Sequence, residues 1–195
     1  MPNLVFATNN KNKIAEIKAQ LGDQYEFLSL KDIGCHEDIP ETQPTLAGNA
    51  EQKARYVKEK YGYDCFSEDT GLEVDALGGA PGVITARYAG PERSAEANNN
   101  KILTELAGKE DRTARFRTFL CLILDGEEHL FEGRCEGRIS ETISNGTDGF
   151  GYDPIFIPAD GDGRTFAEMS GAEKRSMSHR ARAMTKLQDF LRKKA

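Results

Sequence analysis

The segment that decides the fold runs from Leu4 to Gly22 and reads LVFATNNKNKIAEIKAQLG. Its first four residues, Leu4–Ala7, form a short apolar run, which is the pattern of a buried strand. A polar stretch over residues 8–13 follows, and apolar side chains then recur at helical spacing until Gly22, which is placed to end a helix. Strand, polar turn and amphipathic helix in this order predict the opening unit of an α/β domain. The apolar positions of that helix are Ile14, Ile17 and Leu21.

Three further helices are predicted along the chain. Thr45 can cap the first of them, which Gly62 ends, and Ser94 can cap the next. A last helix is predicted over residues 173–191, because apolar side chains recur there at helical spacing.

The strands predicted after the first one differ in length and in how they are connected. Residues 65–67 predict a brief strand, and residues 116–124 predict a long one. The pair Asp125-Gly126 is the strongest hairpin signal in the chain and joins the long strand to another near residues 129–131. Early alternation of strands with helices, followed by a hairpin, predicts a mixed β-sheet with helices on its faces.

Composition restricts the class of protein. The chain has 195 residues and a net charge of −6, so we expect a single domain over residues 1–195 without a duplex nucleic-acid partner, which would need a basic surface. No apolar run approaches the ~18 residues that span a bilayer, so no membrane partner is expected. The cysteines lack zinc-site or CxxC spacing and predict reduced thiols in a cytoplasmic protein. They are Cys35, Cys65, Cys121 and Cys135.

The polar turn at residues 8–13 has the features of a phosphate-binding loop. Backbone N–H groups at the start of a helix carry partial positive charge and bind phosphate. Asn9 and Asn10 tolerate left-handed backbone conformations, and Lys11 and Lys13 add positive charge. The alternative is a polar helix cap with solvated lysines, since the loop has no glycine and does not match a Walker motif.

Three carboxylates are candidates for a metal site. Glu68 and Asp69 follow directly on an apolar strand, where ionised groups need a cation, hydrogen-bond donors or water. Glu41 stands in a polar loop before the second helix. One or two carboxylates completed by substrate phosphates are the ligands that Mg²⁺ prefers. The alternatives are a solvated loop carboxylate at Glu41 and a capping carboxylate in a turn at residues 68–69.

Two segments near the C-terminus could bind a nucleobase. Phe150-Gly151-Tyr152-Asp153 places two aromatic rings and an acid around a glycine, and Lys174, His179 and Arg180 supply donors. The alternatives are aromatic side chains that fill the core and a charged helix face. Together with the loop and the carboxylates, these segments indicate a metal-dependent enzyme that acts on a nucleotide.

Several blocks of the sequence resemble one family, the inosine triphosphate pyrophosphatases, also called Ham1/RdgB-like proteins. The blocks occur in the family's order and cover the chain from residue 4 to about residue 190. They are Ala7–Lys13, Glu41–Ala50, Glu68–Gly82, Ala86–Gly90, Phe150–Pro154, Thr165–Met169, Glu173-Lys174 and Ser178–Arg180.

The resemblance implies hydrolysis of ITP, dITP and XTP to the monophosphate and pyrophosphate, with Mg²⁺, by a cytoplasmic homodimer. It implies an α/β fold with an elongated mixed sheet, flanking helices and two lobes with a cleft between them. Carried over by position, Asp69 is the catalytic acid, and Glu41 and Asp69 bind the metal. The implied phosphate contacts are Thr8, Asn10, Lys13, Lys53 and Thr70, and the implied base and sugar contacts are Phe150, Gly151, Tyr152, Asp153, Lys174, His179 and Arg180.

The sequence departs from the family pattern in four places. Asn9 stands where the family has Gly, Gln43-Pro44 follows Glu41-Thr42 where the family has Gly, Gly48 replaces a Glu, and Glu68 replaces an Asp. None of these changes removes a reactive group.

The hypothesis for the mechanism is that Mg²⁺ helps Asp69 to deprotonate the water that attacks the α-phosphorus, while Lys13 and Lys53 stabilise the leaving pyrophosphate. Two alternatives stay open: a pyrophosphatase for modified pyrimidine nucleotides on a related fold, and a nucleotide-binding protein without catalysis.

Overall fold

The computed structural model describes residues 1–194, apart from the side chains of Asn12 and Gln20. The strands are β1 (Asn3–Phe6), β2 (Glu26–Leu28), β3 (Cys65–Val74), β4 (Thr113–Leu124), β5 (Glu127–Ile139) and β6 (Phe156–Pro158). The helices are α1 (Lys11–Leu21), α2 (Leu46–Tyr61), α3 (Ala95–Leu106), α4 (Gly171–Arg175) and α5 (His179–Lys194). Short 3₁₀ turns occupy several of the connections.

The strands form one mixed sheet in the order β2-β1-β3-β4-β5-β6. Strand β1 runs parallel to β2 and to β3, with Val5 opposite Cys65, whereas β5 and β6 are antiparallel. Parallel neighbours need a crossover connection, and helices α1 and α2 lie in those connections. The predicted α/β class with a mixed sheet and helices is therefore confirmed.

Local sequence signals placed the turns and helix ends well. Asp125 and Gly126 have φ of 52° and 81°, the left-handed pair that a two-residue hairpin turn requires. Thr45 caps α2 by accepting a hydrogen bond from the Gly48 amide, and Gly62 ends that helix with a φ of 80°. These boundaries were confirmed because each depends on one or two residues with a specific backbone preference.

Two predicted elements differ from the structure. Strand β3 continues to Val74 instead of stopping near Ser67, since Leu72 and Val74 are also buried. Glu68 and Asp69 therefore lie inside a strand rather than in the turn after one. The predicted last helix is interrupted between α4 and α5, because the buried Ser178 starts a new helix by accepting a hydrogen bond from the Ala181 amide.

The chain divides into two compact units, each with its own hydrophobic core. The first unit comprises residues 1–69, residues 119–132 and the chain from Ala183 onward. Its core is built from β1, α1, β3, β4 and α5, and Phe6 stacks on Phe66 at 4.4 Å between ring centroids.

The second unit comprises residues 70–118 and 133–182. Its core includes Phe116, Phe156 and Phe166, whose rings pack together with centroid distances of 4.6 to 6.1 Å. The expectation of a single domain over the whole chain, like that of a cleft, stays a prediction. Within the described residues, every helix is too short or too polar to cross a lipid bilayer.

Candidate functional site

The loop between β1 and α1 is held in place by its own side chains. Asn10 accepts a hydrogen bond from the Lys13 amide at 3.3 Å and so caps α1, while Thr8 accepts one from the Asn10 amide at 3.1 Å. Asn9 accepts from the Lys31 amide at 2.8 Å. The polar-cap alternative therefore describes Asn10 correctly. A capped helix start still carries partial positive charge, so capping is compatible with binding an anion.

Lys13 of this loop pairs with the first acid of β3. Its ammonium lies 3.1 Å from Glu68 Oε1, and the Glu68 side chain is only 7% exposed. A carboxylate this buried needs a cation beside it. The Glu68 carboxylate thus holds the Lys13 ammonium beside β3.

Lys53 of α2 brings Glu41 and Asp69 together. Its ammonium lies 2.8 Å from Glu41 Oε1 and 3.8 Å from Asp69 Oδ1, and it donates to the Glu68 carbonyl oxygen at 2.5 Å. The two acids predicted to bind a metal, 28 positions apart in the chain, therefore share one cation. We call Lys13, Glu41, Lys53, Glu68 and Asp69 the acid–lysine cluster; all five belong to the first unit.

The carboxyl group of Asp69 is strongly affected by its burial. Burial raises its pKa to about 6, an effect that Glu41 and Glu68 reinforce and that Lys53 and Asn49 oppose. Its Oδ2 atom is buried and has no hydrogen-bond partner among the described residues. A buried carboxylate oxygen without a donor is costly, and a bound cation would supply the missing partner.

The cluster fits Mg²⁺ only as part of a larger set of ligands. The described residues contain no group of three His, Cys, Asp or Glu side chains that could hold a metal. Glu41 and Asp69 offer hard oxygen ligands, and Oδ2 of Asp69 has no hydrogen-bond partner among the described residues. The positively charged Lys53 ammonium pairs with both carboxylates. Mg²⁺ commonly binds to one or two carboxylates together with substrate phosphates, so the donor set fits that ion.

A pocket of about 340 Å³ lies in the second unit. Every residue from the second unit that the sequence assigned to the substrate lines it. These residues are Thr70, Phe150, Gly151, Tyr152, Asp153, Lys174, His179 and Arg180. Its other walls, which the sequence reasoning missed, are Thr85, Ala86, Arg93, Ala95, Asn98 and Phe116.

An ion pair organises one wall of this pocket. The Lys174 ammonium lies 2.6 Å from Asp153 Oδ2, which also accepts a hydrogen bond from the Phe150 amide at 3.0 Å. The Asp153 side chain is 4% exposed, so this pair is largely removed from water. Lys174 also lies 4.8 Å from the centroid of the Phe150 ring, and Arg180 lies 5.7 Å from it.

The aromatic side chains of the pocket have different roles. Phe150 is 65% exposed, so much of its side chain is open to a ligand even though Lys174 and Arg180 lie beside its ring. Tyr152 is buried, and its hydroxyl donates to the Thr85 carbonyl oxygen at 2.5 Å. His179 is also buried and stacks on Phe116 with ring centroids 4.6 Å apart. The core-filling alternative therefore describes Tyr152, and Phe150 is the better candidate for base stacking.

Two asparagines of α3 support the pocket, and their place in the sequence of a predicted helix could have identified them. Asn98 accepts from the Ala89 amide at 2.7 Å and donates to the Ala86 carbonyl oxygen at 2.9 Å, while Asn99 donates to the Gly151 carbonyl oxygen at 3.2 Å. Both are buried although asparagine is a polar residue. A buried asparagine side chain needs hydrogen-bond partners, which a neighbouring loop backbone can supply.

Comparison with known proteins identifies relatives of the whole chain. The sequence model of the Ham1 family matches residues 4–190. A protein of Flavobacterium psychrophilum named dITP/XTP pyrophosphatase is 54% identical over 97% of this chain and 98% of its own length, and one of the same name from Bacillus subtilis is 45% identical over 98% of each. The structure of the Staphylococcus aureus Ham1 protein superposes with a TM-score of 0.93 at 35% identity, covering 99% of this chain and 100% of that one.

Proposed function

This chain belongs to the Ham1 family, and on that basis we propose that it hydrolyses noncanonical purine nucleoside triphosphates. The substrates are ITP, dITP and XTP, and the products are the monophosphate and pyrophosphate. The observation that carries the proposal is that Lys53 pairs with both Glu41 and Asp69 and that Oδ2 of Asp69 is buried without a hydrogen-bond partner among the described residues. Its relatives named dITP/XTP pyrophosphatase support the choice of substrate.

The triphosphate binds through residues of the first unit and through Thr70. The amides at the start of α1 and the ammonium groups of Lys13 and Lys53 provide positive charge for the phosphate oxygens. Thr8, Asn9 and Asn10 shape the loop, and Thr70, directly after Asp69 in the chain, supplies a hydroxyl. In the protein without substrate, the ammonium groups of Lys13 and Lys53 pair with carboxylates. Phosphate oxygens then replace those carboxylates as the anionic partners of the two lysines.

Mg²⁺ is the metal that we propose for this reaction, and Glu41 and Asp69 would hold it. When bound, it neutralises charge on the triphosphate and so favours nucleophilic attack. Asp69 takes the proton from the attacking water, whose oxygen forms a bond to the α-phosphorus. The bond between that phosphorus and the bridging oxygen breaks, and pyrophosphate leaves with its charge stabilised by Lys13 and Lys53.

The base binds in the pocket of the second unit. Phe150 offers a ring face for stacking, and Lys174, His179 and Arg180 offer donors. Hypoxanthine and xanthine carry an acceptor oxygen at position 6, where adenine carries an amino group. A buried donor that faces an amino group stays unpaired, which disfavours ATP strongly.

A substrate panel tests the proposed function. We expect the purified protein to release pyrophosphate from ITP, dITP and XTP in a Mg²⁺-dependent manner, and to act far more slowly on ATP and GTP. Preference for modified pyrimidine triphosphates would favour the pyrimidine alternative. Nucleotide binding without pyrophosphate release would show a binding protein instead. The homodimer and the cytoplasmic location stay predictions.

Arg180→Ala should weaken discrimination at position 6 of the base. Removal of one donor to a substrate carbonyl should reduce the ratio of kcat/KM for ITP to that for ATP by about 10-fold or more, because a hydrogen bond from a charged group contributes about 1.5–3 kcal/mol. The measurement is the pair of kcat/KM values, with Arg182→Ala as the control, since Arg182 contacts Asp160 and the Arg134 carbonyl oxygen instead. Unchanged ratios in Arg180→Ala would refute the assignment.

A further inference from the structure

The loop that carries Glu41 is fastened to α2 at its beginning. Three donors of α2 converge on Oε1 of Glu37: the hydroxyls of Tyr56 and Tyr61, at 2.8 and 2.6 Å, and the Lys60 ammonium at 2.5 Å. Together these bonds lower the pKa of Glu37 well below its usual range, so the carboxylate stays ionised. This end of the loop is therefore fixed four residues before Glu41.

The loop is fastened again directly after Glu41. Gln52 accepts from the Thr42 amide and donates to the Thr42 hydroxyl, both at 2.8 Å. The buried Asn49 accepts from the Gln43 amide at 2.8 Å. Glu41 therefore stands between two anchored segments, and any shift of residue 43 must either break the bond to Asn49 or move the residues before it.

Gly48 lies beneath this second anchor, in the first turn of α2. A Cβ atom at position 48 would lie 2.9 Å from the Cβ of Gln43 and 2.9 Å from Oγ1 of Thr45. The Thr45 hydroxyl can turn away only by giving up the hydrogen bond that it accepts from the Gly48 amide. The Gln43 Cβ cannot, because its position is set by the backbone, so the loop itself would have to move.

We propose that Gly48 and Gln43 are a matched pair that positions Glu41 for the metal. The missing side chain at position 48 lets Gln43 rest on the first turn of α2, and that contact sets the loop two residues after Glu41. Both are positions at which this sequence departs from the family pattern, and the contact gives the two changes one physical reason. The role toward Mg²⁺ rests on the proposed function, whereas the contact itself does not.

Helix propensity makes the opposite prediction for one substitution. Alanine is a better helix former than glycine, so Gly48→Ala should raise the thermal midpoint if the position is merely helical. If the pair positions Glu41, Gly48→Ala should instead fail to raise the midpoint and should weaken the response to Mg²⁺. Gln43→Gly removes the Cβ atom of residue 43 but leaves Oγ1 of Thr45, so the double variant should recover the part of the loss that movement of the loop causes.

The experiment is a double-mutant cycle with the wild type, Gly48→Ala, Gln43→Gly and Gln43→Gly/Gly48→Ala. Thermal midpoints are measured by circular dichroism with and without Mg²⁺, and ITP hydrolysis is measured over a range of Mg²⁺ concentrations. For Gly48→Ala we expect kcat to fall about 10-fold to 100-fold, since small displacements of reacting groups have effects of this size. KM for ITP should change little, the Mg²⁺ concentration for half-maximal rate should rise, and the double variant should regain the wild-type Mg²⁺ response.

Gly171→Ala is the matched control, because Gly171 also lies in the first turn of a capped helix and a Cβ there would meet only the mobile end of the Arg175 side chain. It should keep the wild-type Mg²⁺ response. The proposal is overturned if Gly48→Ala raises the midpoint and keeps the wild-type response, or if the double variant is as impaired as the single one. If Gly48→Ala does not fold, recovery of folding in the double variant supports the contact, and its absence refutes it.

These outcomes can be told apart from failure of the proposed function. A wild type that releases no pyrophosphate from ITP contradicts the function. The midpoints of the four proteins would still decide whether Gln43 and Gly48 are coupled.

Discussion

Asp69→Asn should lower kcat for ITP about 1,000-fold or more, because the variant loses the general base and one carboxylate of the proposed metal site. Asparagine has nearly the same shape, so the fold should persist. The measurement is pyrophosphate release at saturating ITP and Mg²⁺, with circular dichroism to verify the fold. Asp64→Asn is the matched control, since Asp64 directly precedes the same strand but pairs with Lys58. It should retain wild-type turnover.

The same substitution should make the metal-free protein more stable above about pH 6. The pKa of Asp69 is about 6 in the folded protein and near 3.8 in the unfolded chain, so the folded state favours the protonated carboxyl. As the pH rises from about 4 to 6, the unfolded chain loses this proton first, and the stability that protonation provides is lost. A shift of this size corresponds to about 2–3 kcal/mol.

The amide that Asp69→Asn introduces cannot ionise, so the advantage of the variant should grow across that pH window and stay constant above it. Urea unfolding in EDTA at pH 4, 6 and 8 measures the effect. For the turnover prediction, near wild-type kcat in Asp69→Asn would contradict the role of Asp69 as the general base. A variant less stable than the wild type at pH 8 would contradict the effect assigned to burial of this carboxyl.

Asp153→Ala should destabilise the protein by about 3 kcal/mol, because it leaves the ammonium of a largely buried ion pair without its partner. The Phe150 amide also loses its acceptor, so the loop that carries the exposed Phe150 ring loses its anchor. We therefore expect KM for ITP to rise about 10-fold or more, in line with loss of a charge-assisted contact. Urea unfolding and steady-state kinetics measure the two effects.

Asp160→Ala is the control for this prediction. Asp160 pairs with Arg182, but their side chains are 65% and 41% exposed. Exposed pairs contribute about 0–1 kcal/mol, so this variant should differ little from the wild type in stability and in KM. Equal losses in both variants would contradict the importance given to burial of the Asp153–Lys174 pair.

The parts of the fold that the sequence predicted are those with local causes. The caps at Thr45 and Ser94 and the turn at Asp125-Gly126 each follow from the backbone preference of one or two residues. The end of β3 was missed because the polar pair Glu68-Asp69 resembles a turn, although buried side chains continue the strand on both sides.

The candidate site was also predictable only in part. The residue types and their order indicated phosphate, metal and base contacts, and the structure brings Glu41 to Asp69 and places eight candidates around one pocket. Sequence could not indicate that Lys53 lies between the two acids, since that depends on how α2 packs beside β3. It also could not separate the exposed Phe150 from the buried Tyr152, because both stand in one irregular loop.

The most direct test of the proposed metal site is a crystal structure of the protein with Mg²⁺ and a non-hydrolysable analogue of ITP. We expect Mg²⁺ to contact both Glu41 and Asp69 as well as triphosphate oxygens, with Lys53 no longer paired to Glu41. A metal ion bound to the triphosphate without contact to either carboxylate would contradict the proposal.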